Sequence, residues 1–171
     1  MSSVFSWLAV RGLSSGAVLD HLGLIDTGVA HTAGSSQLAA KALSDGWYIV
    51  VNYDVDPAGY VSKTQLLEGL SMHGDVIACY DSSYGDSAVA EWRSGRKIWS
   101  VAHDCVGGEI PDHLECEGDL PVAFSKILAK AQAAYADFGF CFHAVAIDLA
   151  GEVTGFRENR ELGLTEIAWA N

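Results

Sequence analysis

The sequence predicts an α+β fold, a mainly antiparallel sheet with helices packed on one face. Two observations carry this. Short runs rich in β-branched and aromatic residues, above all 47–53 and the pair flanking Ser94-Gly95, read as strands joined by tight turns. Between such runs, apolar residues recur at helical spacing, most clearly from Phe124 to Phe138, so helices and strands are interspersed. With 171 residues, half of them apolar, the chain fits one domain spanning 1–171 with a sizeable core.

The elements follow in order. Residues 4–10 read as an interior strand, with Phe5, Trp7 and Ala9 on one face and Val4, Leu8 and Val10 on the other. Ser14 or Ser15 caps a short helix carrying Val18, Leu19 and Leu22, which Gly23 stops. Residues 24–46, rich in small and hydroxyl side chains, read as a loose excursion with one short helix around 37–43. A strand at 47–53 leads to a turn at 54–59 containing Pro57. Ser62 and Gln65 form a capping-box pattern ahead of a helix with Leu66, Leu67 and Leu70. Gly74 ends that helix, and 76–80 is the next strand.

A hairpin spans 88–103 around Ser94-Gly95. A regular ladder pairs Arg93 with Arg96, Trp92 with Lys97 and Ala90 with Trp99, which places Ala90, Trp92, Trp99 and Val101 on one apolar face. Glu91, Arg93, Arg96 and Ser100 then share the other, largely polar face. After a turn-rich stretch at 104–120, Asp119 and Pro121 open the longest helix, with Gly139 as its stop. Residues 141–147 read as a further strand, and Asp148 as the cap of a short helix ending near Gly155. Residues 156–171 read as a tail, either flexible or used for docking, in which Trp169 either anchors a partner or folds onto the core.

Charge is the most informative feature of the composition. Twenty-two acids against ten bases leave a net charge of −12. Such a surface repels phosphate backbones and anionic lipid and attracts basic protein, so the expected partner is a protein, not nucleic acid or membrane. The same charge also serves solubility alone. No apolar run approaches the roughly 18 residues of a membrane span. The opening residues lack the basic and apolar regions of a signal peptide, so the expected location is cytoplasmic. Four widely spaced cysteines suit small buried hydrophobes in a reducing compartment.

Candidate chemistry is sparse. Gly12-Leu13-Ser14-Ser15-Gly16 matches the pattern of a nucleophile elbow between a strand and a helix. A serine hydroxyl needs a histidine base held by a carboxylate, and Asp104 with His113 or His143 satisfies the chain order. Against this, the motif follows the first strand, where no preceding sheet exists, and Ser14 is explained as a cap. Gly85-Asp86-Ser87 reads as a turn into the hairpin. Three histidine–cysteine neighbours occur (His103 with Cys105, His113 with Cys116, Cys141 with His143), yet without paired knuckle spacing no metal is expected. No phosphate loop or dinucleotide fingerprint is present, and no cofactor is expected.

The acidic stretch differs in kind. Asp104, Glu109, Asp112, Glu115, Glu117 and Asp119 lie between Lys97 and Lys126 with no intervening base. Like charges this dense repel one another unless solvated or matched by a partner. The stretch is therefore either a solvated loop or a docking surface.

Certain segments also carry a resemblance. They are Trp7-Leu8-Ala9-Val10-Arg11-Gly12-Leu13-Ser14, Val18-Leu19, Leu22-Gly23, Gly46-Trp47-Tyr48, and the hairpin Trp92-Arg93-Ser94-Gly95-Arg96 running into Trp99-Ser100-Val101-Ala102-His103-Asp104. Together they resemble small bacterial proteins that look like immunity partners of secreted or polymorphic toxins. The resemblance covers about the first two thirds of the chain and is structural, with no active-site residues to carry over. It implies a toxin inhibitor acting by direct binding to a basic toxin domain, with no catalytic residues of its own. The alternative, from another class, is a small serine hydrolase using Ser14.

Overall fold

The computed structural model describes residues 4–32, 35–53, 59–82, 85–104, 113–138, 142–157 and 163–170. At its centre lies β1 (Val4–Arg11), paired antiparallel with β4 (Trp47–Asn52) on one side and β5 (Asp75–Ser82) on the other. Its Phe5, Trp7 and Ala9 are buried on one face, and Leu8 and Val10 on the other. A strand apolar on both sides requires cover on both sides.

That cover comes from two pairs of helices. Helices α1 (Ser15–Leu22) and α2 (Thr64–Ser71) place Val18, Leu19, Leu67 and Leu70 against Leu8, Val10, Val50 and Ala78. Across the sheet, α3 (Ala123–Phe138) and α4 (His143–Thr154) meet the face carrying Trp7, Ile49, Ile77 and Val101. The α+β class and the antiparallel sheet are as expected from the sequence. The helices, expected on one face, cover both, because the central strands bury side chains in both directions.

Among the described residues the sheet has nine strands in the order β2-β9-β3-β4-β1-β5-β6-β7-β8, with every pairing antiparallel. The added strands are β2 (Leu24–Ala30), β3 (Leu38–Ala42), β6 (Ser87–Arg93), β7 (Arg96–His103), β8 (Glu115–Gly118) and β9 (Thr165–Trp169). Among the described residues, no helix is long and apolar enough to cross a membrane.

Several expectations are corrected. The region 24–46 is not loose: it holds β2 and β3, and the helix expected around 37–43 is the strand β3. Alanine favours helix, but β3 is bonded to β4 and β9 and buries Leu38, Ala39 and Ala40, and that pairing outweighs local propensity. Where a strand is expected at 141–147, His143 onward is the start of α4, and Cys141 lies outside the described residues. Phe142, Val145, Ala146, Leu149 and Ala150 are buried together, which is helical spacing. Asp148 therefore lies inside this helix, where its carboxylate accepts from Arg157 Nη1 at 2.6 Å and caps nothing. Within the expected tail, Thr165–Trp169 form β9, which inserts between β2 and β3.

The capping box is also absent. Lys63 occupies the cap of α2 with no side-chain bond, while Ser62 closes a 3-10 turn (Gly59–Ser62) by donating to the Gly59 carbonyl at 2.9 Å. The rest of the expected turn at 54–58, and the expected helix stop at Gly139, lie outside the described residues.

The hairpin turn forms as expected, with Ser94 and Gly95 both at positive φ, the mirror-image geometry that suits strand twist. Its ladder then shifts. Trp92 pairs with Lys97, but Trp99 pairs with Glu91 and Ser100 with Ala90, so Ile98 is an extra residue on β7. A one-residue bulge sends every later side chain to the opposite face. Ala90 and Trp92 consequently join the α2 side of the core, while Trp99 and Val101 join the α3–α4 side. The two tryptophans expected to share a face are on opposite ones.

Candidate functional site

Strand β8 is one edge of the sheet, β2 being the other, and carries the described core of the acidic stretch. It pairs Glu115 with Ala102, Cys116 with Val101, Glu117 with Ser100 and Gly118 with Trp99. Alternation therefore turns Glu115 and Glu117 toward the α2 face and Cys116 toward the α3 side. All four residues of β8 are exposed. Gly118 fits the bulge: at φ 76°, an added Cβ there would lie 2.0 Å from the Ile98 carbonyl oxygen. Only glycine tolerates both that backbone and that approach.

The carboxylates differ in their surroundings. Glu117 meets Lys97 Nζ and accepts from Ser100 Oγ at 3.2 Å. The Lys97 ammonium holds its carboxyl below the ordinary range, with the serine hydroxyl contributing further. Among the described residues, Glu115 has only a long contact, 3.7 Å, to His113 Nε2. Asp119 follows the strand and is exposed, and Asp104, at the end of β7, is exposed as well. Glu109 and Asp112 lie outside the described residues. The structure thus brings Glu115 and Glu117 together on one strand face, with Asp119 just beyond.

Beside these carboxylates runs a groove of about 250 Å³. Ala88, Ala90 and Ala102 line it, and among the described residues Trp92 is its one aromatic residue. Sequence reasoning missed this feature because it assigned Trp92 to a shared apolar face with Trp99. The bulge, invisible to a pattern of alternation, separates them.

Ser14, the alternative candidate, sits at the N-terminus of α1 with extended backbone, and its hydroxyl accepts the Ala17 N–H at 3.3 Å. Among the described residues no histidine or carboxylate hydrogen-bonds it. His143, offered as a base for that serine, instead places Nε2 2.9 Å from Asp81 Oδ1. The Asp81 carboxylate raises its pKa above the ordinary imidazole value against the opposing effect of burial, with Ser82 and Asp86 assisting. Ser87 Oγ donates to the His143 carbonyl at 2.7 Å, so α4 is tied to both β5 and β6 at its first turn. Asp81 was not singled out in the sequence, because no spacing links it to residue 143. Gly85 and Asp86 lead into β6, which begins at Ser87, and the Gly85 N–H donates to the Ser82 carbonyl at 2.9 Å.

Of the histidine–cysteine neighbours, Cys105 and Cys141 lie outside the described residues. His103 Nδ1 is 2.7 Å from the His113 carbonyl and donates to it. Cys116 is exposed, and partial burial raises its thiol pKa. Among the described residues no group of three histidine, cysteine or carboxylate side chains converges as metal ligands would.

What the fold and this edge define together is an antiparallel α+β domain presenting an acidic strand and an adjoining groove. Compared with protein families, with curated proteins and with solved structures, the chain matches none.

Proposed function

We propose that the chain is an acidic, cytoplasmic protein-binding module that docks a basic protein through the β8 edge, in the manner of an immunity protein neutralising a toxin domain. One observation carries the reading: Glu115 and Glu117 project from an exposed edge strand, and among the described residues Glu115 has only a long contact to the His113 imidazole. An edge offers unpaired backbone groups, and strand addition with flanking charge is a common mode of protein recognition. The overall charge of −12 favours encounter with a basic protein and disfavours nucleic acid and anionic membrane.

The test begins with recovery of a partner from the native host and its purification. Association is then measured at low and high salt for the natural chain and for Glu115→Lys/Asp119→Lys. The expected result is slower association and a flatter salt dependence in the variant, with an unchanged melting temperature. Co-expression should also protect cells from the partner. Identical kinetics in the two forms would remove β8 from the interface, and a partner without basic character would sink the reading.

A further inference from the structure

We propose that the groove between α3 and α4 binds a medium-chain carboxylate, an acyl anion whose head pairs with Lys130 and whose tail lies between the two helices. The site is separate from the β8 edge and does not depend on the docking reading. The walls come first. Ile127, Ala131 and Ala134 of α3 face Ala144 of α4, with Phe142 and Val145 beneath. Ile127, Ala131 and Ala134 are half-buried and Ala144 is exposed, so a ligand reaches them without opening the core. The alanines leave the space that larger side chains would fill.

Helix α3 has apolar surface to spare. Phe124, Ile127, Leu128, Ala131 and Tyr135 recur at helical spacing, yet none of its described side chains is fully buried. An amphipathic helix normally has its apolar stripe covered. The groove holds about 240 Å³. An apolar cavity of about 150 Å³ takes up the six carbons of benzene, so this space suits roughly ten non-hydrogen atoms, the size of octanoate.

Charge at the rim selects the head group. Arg157 Nη1 donates to Asp148 Oδ1 at 2.6 Å, while Lys130 Nζ stands 4.0 Å from the other carboxylate oxygen. Gly151 makes room for the arginine: an added Cβ there would lie 3.0 Å from its guanidinium carbon. Asp148 is thus matched by Arg157, and Lys130, 81% exposed, is the surplus cation in a chain of net charge −12. One turn away on the two helices, Lys126 and Glu152 offset each other. Asp137, a turn beyond Ala134, makes the far end of the groove anionic. A carboxylate therefore sits at Lys130, with its tail directed toward Ala134 and Ala144.

The experiment uses the full chain carrying ¹³C-labelled alanine methyls, titrated with sodium octanoate and with octan-1-ol, which keeps the tail and lacks the charge. The Ala134 and Ala144 methyls are assigned by their loss in Ala134→Ser and Ala144→Ser. Saturable shifts of both are expected with octanoate, and much weaker binding with the alcohol. Lys130→Gln should keep the melting temperature and weaken octanoate binding about ten-fold, as loss of a charged partner does. Ala144→Leu, which fills the groove from an exposed position, should abolish saturation. Stationary methyls, or full affinity in Lys130→Gln or Ala144→Leu, overturn the site. Unsaturable shifts spread over the whole surface mean detergent action and overturn it too. Equal affinity for the alcohol also defeats the carboxylate assignment, and marks the groove as a seat for an uncharged apolar side chain of a partner.

Discussion

Trp99 sits opposite Glu91, and its indole N–H donates to the Glu91 carboxylate. Glu91 is 5% exposed, and its other oxygen meets the guanidinium of Arg93, which also reaches Asp75 at 3.4 Å. Arg11 closes the same network, with Nη2 2.9 Å from Asp75. The bulge at Ile98 is what makes this pairing available. Without it Trp99 would face Ala90, and Glu91 would lack its indole donor.

The two residues should therefore behave as a unit. Glu91→Ala strips acceptors from a buried indole and should cost about 1–3 kcal/mol, as an unsatisfied buried donor does. A urea-denaturation cycle with Trp99→Phe should show a coupling of about 0.5–3 kcal/mol. Strict additivity of the two changes would mean that the contact contributes nothing.

Ser14 is expected to act on stability. Ser14→Ala removes the acceptor for the Ala17 N–H and should cost about 0.5–2 kcal/mol, measured by denaturant unfolding. A fluorophosphonate probe, which labels activated serines, should leave this residue unmodified. Stoichiometric labelling at Ser14 would revive the hydrolase alternative.

The Asp81–His143 pair should make stability depend on pH. The folded-state pKa of His143 is raised, so the folded protein holds this proton more tightly than the unfolded chain. Its contribution is full below the unfolded value, about 6.5, and is lost as pH rises through the folded one. The stability gap between the natural chain and His143→Asn should accordingly be larger at pH 5.5 than at pH 8.5. A gap that is flat, or that grows with pH, contradicts this linkage.

Local pattern was a good guide where one signal dominated. Trp47–Asn52 is dense in strand formers, Ser14 and Gly23 bracket α1 as cap and stop, and Ser94-Gly95 suits its turn. It failed where two periods fit the same letters. Cys-Phe-His-Ala-Val-Ala-Ile is a short apolar run that satisfies strand and helix alike, and only its continuation to Leu149 and Ala150 on a buried face favours the helix. The acidic stretch was visible as composition, but nothing in it distinguished the edge strand Glu115–Gly118 from a solvated loop.

The sequence by itself determined the α+β class, the charge and most element positions, because propensity, caps and apolar spacing are properties of neighbours along the chain. Three features were decided only by tertiary structure. The alanine-rich 38–42 became a strand because β4 and β9 flank it. Residues 165–169 became an inner strand through hydrogen bonds to partners more than a hundred residues away. The bulge at Ile98 set which face Trp92 and Trp99 occupy, and Gly118 on the neighbouring strand fits against it. Register depends on pairing between strands, and pairing energy is shared between distant segments, so no local reading contains it. The groove beside Glu115 exists only because that register was chosen.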